Sequence, residues 1–186
     1  MNYGWIALIV LLALAGVAVA QSTNQTLAVG ASAPEFAAVG TNDQTNRLSD
    51  LKGKWVVLYF YPKAFTPGCT TEACSLRDGY ADLQKRGAVI LGVSLDGVAK
   101  LKDFKTAYQL PFDLLSDADK SISRDYHTLG FGGLFAERRT FIVNPAGAIA
   151  HVFESVSPRT HDKDVAAVLA TLQSAVPAAP SRAPAP

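Results

Sequence analysis

The chain has 186 residues, of which 49% are apolar and 18% are charged, and it contains two cysteines. Seventeen basic residues against sixteen acidic ones give a formal net charge of +1, which lacks the basic excess typical of nucleic-acid-binding proteins. The length suits one domain of ordinary size, and two cysteines are too few for a disulfide-rich scaffold.

The N-terminal segment holds much of the apolar excess. Seventeen of residues 1–20 are apolar, and no charged side chain occurs before Glu35. The run from Trp5 to Ala20 is shorter than the roughly 20 residues of a typical membrane-spanning helix, and it ends in a signal-peptidase pattern, Ala-Val-Ala. We interpret residues 1–20 as a secretory signal, with an uncleaved anchor as the alternative because no Lys or Arg precedes the apolar run. Either interpretation places the remaining chain outside the cytoplasm, periplasmic or secreted, or anchored and facing outside.

Three regions follow this segment. Residues 21–33 are small and polar and are predicted to form a flexible lead-in, whereas residues 34–176 alternate between strand and helix patterns. The last ten residues, 177–186, contain four prolines and four alanines. Because proline lacks a backbone N–H and interrupts helices, they are predicted to form a disordered tail without function.

The predicted strands are short apolar runs rich in β-branched and aromatic residues. Trp55 to Tyr61 is apolar on both faces, which indicates a central strand of a covered sheet. Further strands are predicted at residues 88–95 and 112–115, and residues 140–153 predict a hairpin that turns at Asn-Pro-Ala-Gly.

Helical patterns occupy the intervals, and the clearest has apolar residues at i, i+3, i+4 and i+7 from Val165 to Leu172. The alternation predicts one α/β domain with a central mixed β-sheet flanked by helices. The predicted helices lie at residues 70–86, 98–108, 120–127 and 162–174.

The loop after the first strong strand carries the chemically informative residues. Thr66 followed by Pro67 is a helix-start pattern, with a hydroxyl residue at the N-cap and proline in the first helical position. Cys69 then falls in the first turn, where unpaired backbone N–H groups and the helix dipole favour a thiolate. The sequence therefore predicts a reactive cysteine at the carboxyl end of a central strand, where α/β sheets commonly place their sites.

From the strand end to the second cysteine the chain reads Phe-Tyr-Pro-x-x-x-Thr-Pro-Gly-Cys-Thr-x-Glu-x-Cys. This string resembles the active-site motif of peroxiredoxins, in particular the bacterioferritin comigratory protein, or Q-type, branch. The likeness extends from about Pro34 to about Phe153. It implies a thioredoxin-like fold and a thiol-dependent peroxidase that reduces hydrogen peroxide and organic hydroperoxides. It also implies re-reduction by thioredoxin or a thioredoxin-like dithiol.

The resemblance implies a role for each residue of the motif. Cys69 is the peroxidatic cysteine, which becomes a sulfenic acid, while Thr66 hydrogen-bonds the peroxide and Pro62 shields the thiolate. Cys74 is the resolving cysteine, which forms a disulfide with Cys69. Five residues along an intact helix rise about 7.5 Å and place side chains in different directions, so the helix has to unwind before that bond forms.

An arginine before a Thr-Phe strand is a further feature of the family. A guanidinium suits the developing charge on the departing oxygen because it stays protonated at any working pH. Arg139 precedes Thr140 and Phe141 and is therefore assigned this role, whereas Arg138 points to the opposite face if the segment is a strand.

The pair Ala64-Phe65 replaces the more polar residues usual in the family, which favours larger hydroperoxides. No cofactor or metal is expected, since the Cys-x4-Cys spacing exceeds that of a zinc knuckle and the three histidines form no His-x3–5-His pair. The alternative function is a non-enzymatic extracytoplasmic binding module stapled by a structural Cys69–Cys74 disulfide. We expect a monomer without a nucleic-acid partner, and without stable membrane association once a signal is removed.

Overall fold

The computed structural model describes residues 27–175. The predicted signal at residues 1–20 and the predicted tail at residues 177–186 lie outside the described residues. Between residues 27 and 175, no helix combines the length and the apolar character needed to cross a bilayer.

The centre of the fold is a five-stranded mixed sheet, accompanied by a small antiparallel hairpin that was not predicted. The hairpin consists of β1 (Ala37–Val39) and β2 (Thr45–Arg47). The strands of the main sheet are β3 (Trp55–Phe60), β4 (Ala88–Ser94), β5 (Asp113–Ser116), β6 (Arg139–Val143) and β7 (Ile149–Phe153). Their spatial order is β5-β4-β3-β6-β7, with β3, β4 and β5 parallel and with β6 antiparallel to both β3 and β7. The run from Trp55 is thus the middle strand, and its buried side chains explain its uninterrupted apolar pattern.

The helices agree with the predicted alternation apart from one break. The predicted helix at residues 70–86 is two helices that meet at Gly79, where an added Cβ would lie 2.5 Å from the Cβ of Asp162. The close approach of the last helix therefore requires glycine at the break. The helices are α1 (Pro67–Asp78), α2 (Tyr80–Lys85), α3 (Val98–Ala107), α4 (Ser121–Asp125) and α5 (His161–Ala175), with short 3₁₀ turns at Leu48–Leu51 and Phe131–Gly133.

Apolar side chains cover both faces of the sheet. On one face, α1, α2, α3 and α5 contribute buried residues that include Leu76, Leu83, Phe104 and Leu169. On the other face, buried side chains of the strands pack with residues around the β1–β2 hairpin, in and just after α4, and in the loop before β6: Phe36, Ala38, Leu48, Ile122, Tyr126 and Ala136. Cys69 belongs to the first of these clusters, so α1, which is the motif helix that carries both cysteines, lies against the middle of the sheet.

The prediction that residues 21–33 are flexible is wrong for the last of them, residues 30–33. The N–H of Gly30 donates to the carbonyl of Ile149 at 2.8 Å, and the N–H of Ala33 donates to the carbonyl of Gly147 at 2.9 Å. These backbone hydrogen bonds fasten the segment to the hairpin between β6 and β7, so the folded unit begins before Pro34.

Gly92 in β4 provides the space in which Tyr59 lies beneath the motif helix. An added Cβ would lie 2.6 Å from the Tyr59 ring and 2.7 Å from the Leu114 side chain. We expect Gly92→Ala to lower the free energy of unfolding by about 1–3 kcal/mol because both neighbours are fully buried. Chemical denaturation measures this change. Gly97→Ala, at a site with no atom within 4 Å, is the control and is expected to cost less than about 1 kcal/mol.

Candidate active site

The start of α1 lies where the sequence predicts it. Thr66 is the N-cap residue, Pro67 is the first helical residue, and Cys69 lies in the first turn. The Thr66 hydroxyl does not cap the helix but donates to the carbonyl of Lys63 at 2.9 Å. Because the hydroxyl proton is used in this way, the oxygen lone pairs remain available to accept a hydrogen bond from a ligand.

The loop between β3 and α1 is held by the carboxylate of Asp96, which was not predicted from the sequence. Asp96 Oδ2 accepts hydrogen bonds from the N–H of Ala64 at 2.7 Å and from the Ser94 hydroxyl at 2.9 Å, and Oδ1 pairs with Lys100 at 2.6 Å. Partial burial acts to raise the pKa of Asp96, but the Lys100, Ala64 and Ser94 hydrogen bonds outweigh it and lower that pKa. An ionised Asp96 therefore fixes the loop that carries Pro62 and Thr66.

The sulfur of Cys69 is buried, with 2% of the residue exposed, and lies beside an arginine. Arg138 Nη2 is 3.3 Å from Cys69 Sγ, within donor distance of the sulfur. Gly68 leaves room for this approach, since a Cβ there would lie 3.2 Å from the same nitrogen. The helix N-terminus and the guanidinium together favour negative charge on the sulfur.

The other side of the Arg138 guanidinium contacts the carboxyl of Glu72. Nη1 of Arg138 donates to Oε2 of Glu72, a residue with no solvent exposure. Burial raises the pKa of Glu72 from 4.5 to about 7, even though Arg138 acts in the opposite direction. Glu72 lies within the cysteine motif, but its contact with Arg138 was not predicted from the sequence.

The arginine assignment from the sequence is wrong: Arg138, not Arg139, lies beside Cys69. Side chains alternate along β6, so Arg138 shares a face with Thr140, which is paired with Tyr59. Arg139 lies on the other face, where it contacts Glu137 at 3.1 Å, Glu154 at 3.5 Å and the backbone carbonyl of His127 at 3.4 Å.

The second cysteine lies on the same helix but away from the first. Cys74 is partly exposed and unbonded to Cys69, and it borders a surface cavity of about 440 Å³. Pro62 is half-buried directly after β3. The structure therefore brings together Cys69, Thr66 and Arg138 around the start of α1, with Cys74 at a second location.

Comparison with known proteins supports this chemistry. Residues 29–152 match the AhpC/TSA family, and the chain belongs to that family. Within it the chain is a peroxiredoxin of the Bcp, or Q-type, group, and therefore a thiol-dependent peroxidase. The non-enzymatic binding module considered as an alternative is accordingly set aside.

Relatives and solved structures agree on this group. Peroxiredoxin Bcp of Bacillus subtilis is 39% identical over 154 residues, which cover 80% of this chain and 96% of that protein. Peroxiredoxin Bcp of Escherichia coli K12 is 36% identical over 141 residues, or 73% of this chain and 90% of the relative. The crystal structure of BcpB from Mycobacterium tuberculosis has a TM-score of 0.72 and 31% identity, covering 81% of this chain and 99% of that one. This chain therefore has the thioredoxin-like fold that the resemblance implied.

Substitution of the two adjacent arginines tests which one acts at the sulfur. We expect Arg138→Gln to lower kcat/KM for hydrogen peroxide by about 10²–10³-fold, because a preorganised donor to the developing charge is lost. Arg139→Gln is the matched control and is expected to change this value less than about threefold. Stopped-flow peroxide consumption measures both variants. A larger loss in Arg139→Gln than in Arg138→Gln would contradict the assignment.

The raised pKa of Glu72 predicts a pH dependence of stability. Folded Glu72 binds its proton more tightly than unfolded Glu72, so it contributes stability below about pH 4.5 that is lost as the pH rises through about 7. We expect Glu72→Gln to remove this decline, as measured by urea denaturation from about pH 5 to about pH 8. Exposed Glu154→Gln is the control and should retain the wild-type slope. Equal slopes for wild type and Glu72→Gln would show that burial does not hold the Glu72 proton.

Proposed function

We propose that the chain reduces hydroperoxides through the thiolate of Cys69. The sulfur attacks one peroxide oxygen, so that an S–O bond forms while the O–O bond breaks, and the sulfur loses two electrons to become a sulfenic acid. The other oxygen leaves as hydroxide or alkoxide and takes up a proton to give water or an alcohol. The 3.3 Å contact between Arg138 Nη2 and Cys69 Sγ is the observation that carries this proposal.

Two residues of the loop are proposed to hold the peroxide for this step. The Thr66 oxygen, whose proton is donated to Lys63, accepts a hydrogen bond from the peroxide O–H. Pro62, which is half-buried, restricts the access of solvent to the Cys69 thiolate. Together these residues are expected to orient the peroxide O–O bond along the line of attack by the Cys69 sulfur.

Cys74 is proposed to resolve the sulfenic acid. Its thiolate attacks the Cys69 sulfur, so that an S–S bond forms while the S–O bond breaks, and the sulfenic oxygen leaves as hydroxide, which takes up a proton to give water. The helix between the cysteines has to unwind first, and α5 opposes this unwinding next to Cys74. The Ser75 hydroxyl donates to Asp162 Oδ1 at 2.7 Å and accepts from the N–H of Asp162 at 3.1 Å. Release of this pair is therefore a step in disulfide formation.

We also propose a reductant and a cellular location for the enzyme. A thioredoxin-like dithiol reduces the disulfide and returns both cysteines to the cycle, as peroxiredoxins use thioredoxin-type reductants. The apolar segment at residues 1–20 supports antioxidant activity outside the cytoplasm, in the periplasm or as a secreted protein.

Mass spectrometry of the oxidised protein tests the proposed cysteine cycle. One equivalent of peroxide should convert reduced wild type into an intramolecular disulfide, while Cys74→Ser stops at a sulfenic acid on Cys69 that dimedone traps. Cys69→Ser is the matched control and should remain unoxidised. Intact-protein and peptide mass spectrometry distinguish these products. A free Cys74 thiol beside oxidised Cys69 in wild type would contradict the resolving role, and oxidation of Cys69→Ser at Cys74 would contradict the first step.

The apolar mouth of the loop supports a preference for organic hydroperoxides. Phe65 is 44% exposed and has a backbone φ of 69°, a conformation that is unfavourable for an aromatic residue. Its ring contacts Phe104 in α3 and Tyr108 directly after α3, with ring-centroid distances of 5.1 and 6.1 Å. An alkyl or aryl group beside the peroxide would be buried against these rings. The bacterioferritin comigratory protein of Xanthomonas campestris, a solved structure 32% identical to this chain, has alkyl peroxide reduction activity.

Phe65 therefore provides a test of substrate preference. We expect Phe65→Ala to lower kcat/KM for cumene hydroperoxide about tenfold while the value for hydrogen peroxide changes less than twofold, because only the former has an apolar group to bury. Phe131→Ala, at a residue that is 90% exposed, is the control. Equal effects of Phe65→Ala on both peroxides would contradict a role in selectivity.

A further inference from the structure

A buried histidine lies behind the Arg138–Glu72 pair. His161 is the first residue of α5 and has no solvent exposure. Its Nε2 atom lies 2.9 Å from the Thr140 hydroxyl oxygen and 3.8 Å from Oε1 of Glu72. The side chain thus reaches the carboxyl oxygen that Arg138 does not contact.

Within the Glu72–His161 pair, one polar atom of each side chain lacks a hydrogen-bond partner among the described residues: Glu72 Oε1 and His161 Nδ1. If the imidazole proton were on Nδ1, a buried N–H donor would be left unmatched. With the proton on Nε2, the N–H bonds the Thr140 oxygen and its positive end also lies near Glu72 Oε1. The Nε2–H tautomer is therefore the form that matches this environment.

The imidazole acts on Glu72 as a neutral dipole. Burial lowers the pKa of His161 to about 4, so the ring is uncharged at neutral pH. The contact with Glu72 is then an ion–dipole interaction when the carboxyl is ionised, and it favours the ionised form. The titratable or charged groups around this pair are Cys69 on α1, Tyr59 and Tyr61 at β3, Arg138 before β6, and Asp162 and Asp164 on α5.

We propose that His161 is a positioning residue that favours ionised Glu72 and thereby fixes the Arg138 guanidinium against Cys69. The chain of contacts runs from His161 to Glu72, from Glu72 to Arg138, and from Arg138 to the sulfur. His161 itself does not touch the reacting atoms. It lies outside the cysteine motif, so α5 contributes to the site as well as to the core.

The carboxyl titration of Glu72 tests this proposal directly. The chain has four glutamates, so ¹³C labelling of glutamate side-chain carboxyls gives a simple spectrum in which Glu72→Gln identifies one signal. We expect His161→Leu to raise the Glu72 titration midpoint by about one pH unit, equivalent to tenfold tighter proton binding. His161→Gln, which keeps an N–H donor, should restore part of the shift.

The control is His151→Leu, because His151 lies on β7 against Phe153 rather than against Glu72. No shift or a downward shift in His161→Leu would overturn the proposal, as would an equal shift in His151→Leu. Should His161→Leu fail to fold, ¹⁵N spectra of histidine in the wild-type protein provide a second test. The Nε2–H tautomer of His161 at neutral pH is expected, and the Nδ1–H tautomer or the imidazolium overturns the proposal.

This inference rests on the proposed action of Arg138 at Cys69, yet its test does not depend on peroxide turnover. If His161→Leu leaves the Glu72 titration midpoint unchanged, His161 has no positioning role at the site, whereas the proposed cysteine cycle is unaffected. Loss of the cysteine cycle in the mass experiment would leave the Glu72 titration interpretable as a property of the folded protein.

Discussion

The guanidinium of Arg138 lies between two groups that can each carry negative charge, the sulfur of Cys69 and the buried carboxyl of Glu72. One cation therefore serves two acids in a space from which water is largely removed. Burial raises the pKa of Glu72 to about 7, so this carboxyl gains or loses its charge near neutral pH. The charge on Glu72 therefore determines how firmly this ion pair holds the Arg138 guanidinium beside the Cys69 sulfur.

The fold brings these groups together from separate parts of the chain. The middle strand β3 ends at the loop that Asp96 fixes, and the loop starts α1 with Cys69 in its first turn. Side-chain alternation before β6 directs Arg138 to the α1 face of the sheet. The start of α5 lies against α1 through His161 and Asp162. The same helix thus borders both the charged cluster and the segment that has to unwind when Cys74 reacts.

Local features of the site could be predicted from the sequence because they depend on neighbouring residues. Thr66 and Pro67 define a helix start through their own backbone preferences, and this places Cys69 in the first turn. The apolar run from Trp55 predicts a central strand, since only a strand covered on both faces has no polar side. The sheet order and the packing of α5 also agree with an α/β domain.

The features that were missed depend on contacts distant in the sequence. Alternation predicts that Arg138 and Arg139 face opposite ways, but only the assembled sheet shows which face α1 covers. The break at Gly79 follows from the approach of Asp162, more than 80 positions further along the chain. Likewise, a histidine at the start of α5 has no local pattern that relates it to Glu72.

The fixing of Arg138 by Glu72 is tested most directly by the rate at which reduced Cys69 reacts with peroxide. In a Cys74→Ser background Cys69 is the one remaining cysteine, so a single stopped-flow oxidation reports that sulfur alone. Adding Glu72→Gln should slow this oxidation, because the ion pair that holds the guanidinium beside the sulfur is lost, and further addition of Arg138→Gln should slow it more. An oxidation rate that Glu72→Gln leaves unchanged or raises would contradict the account.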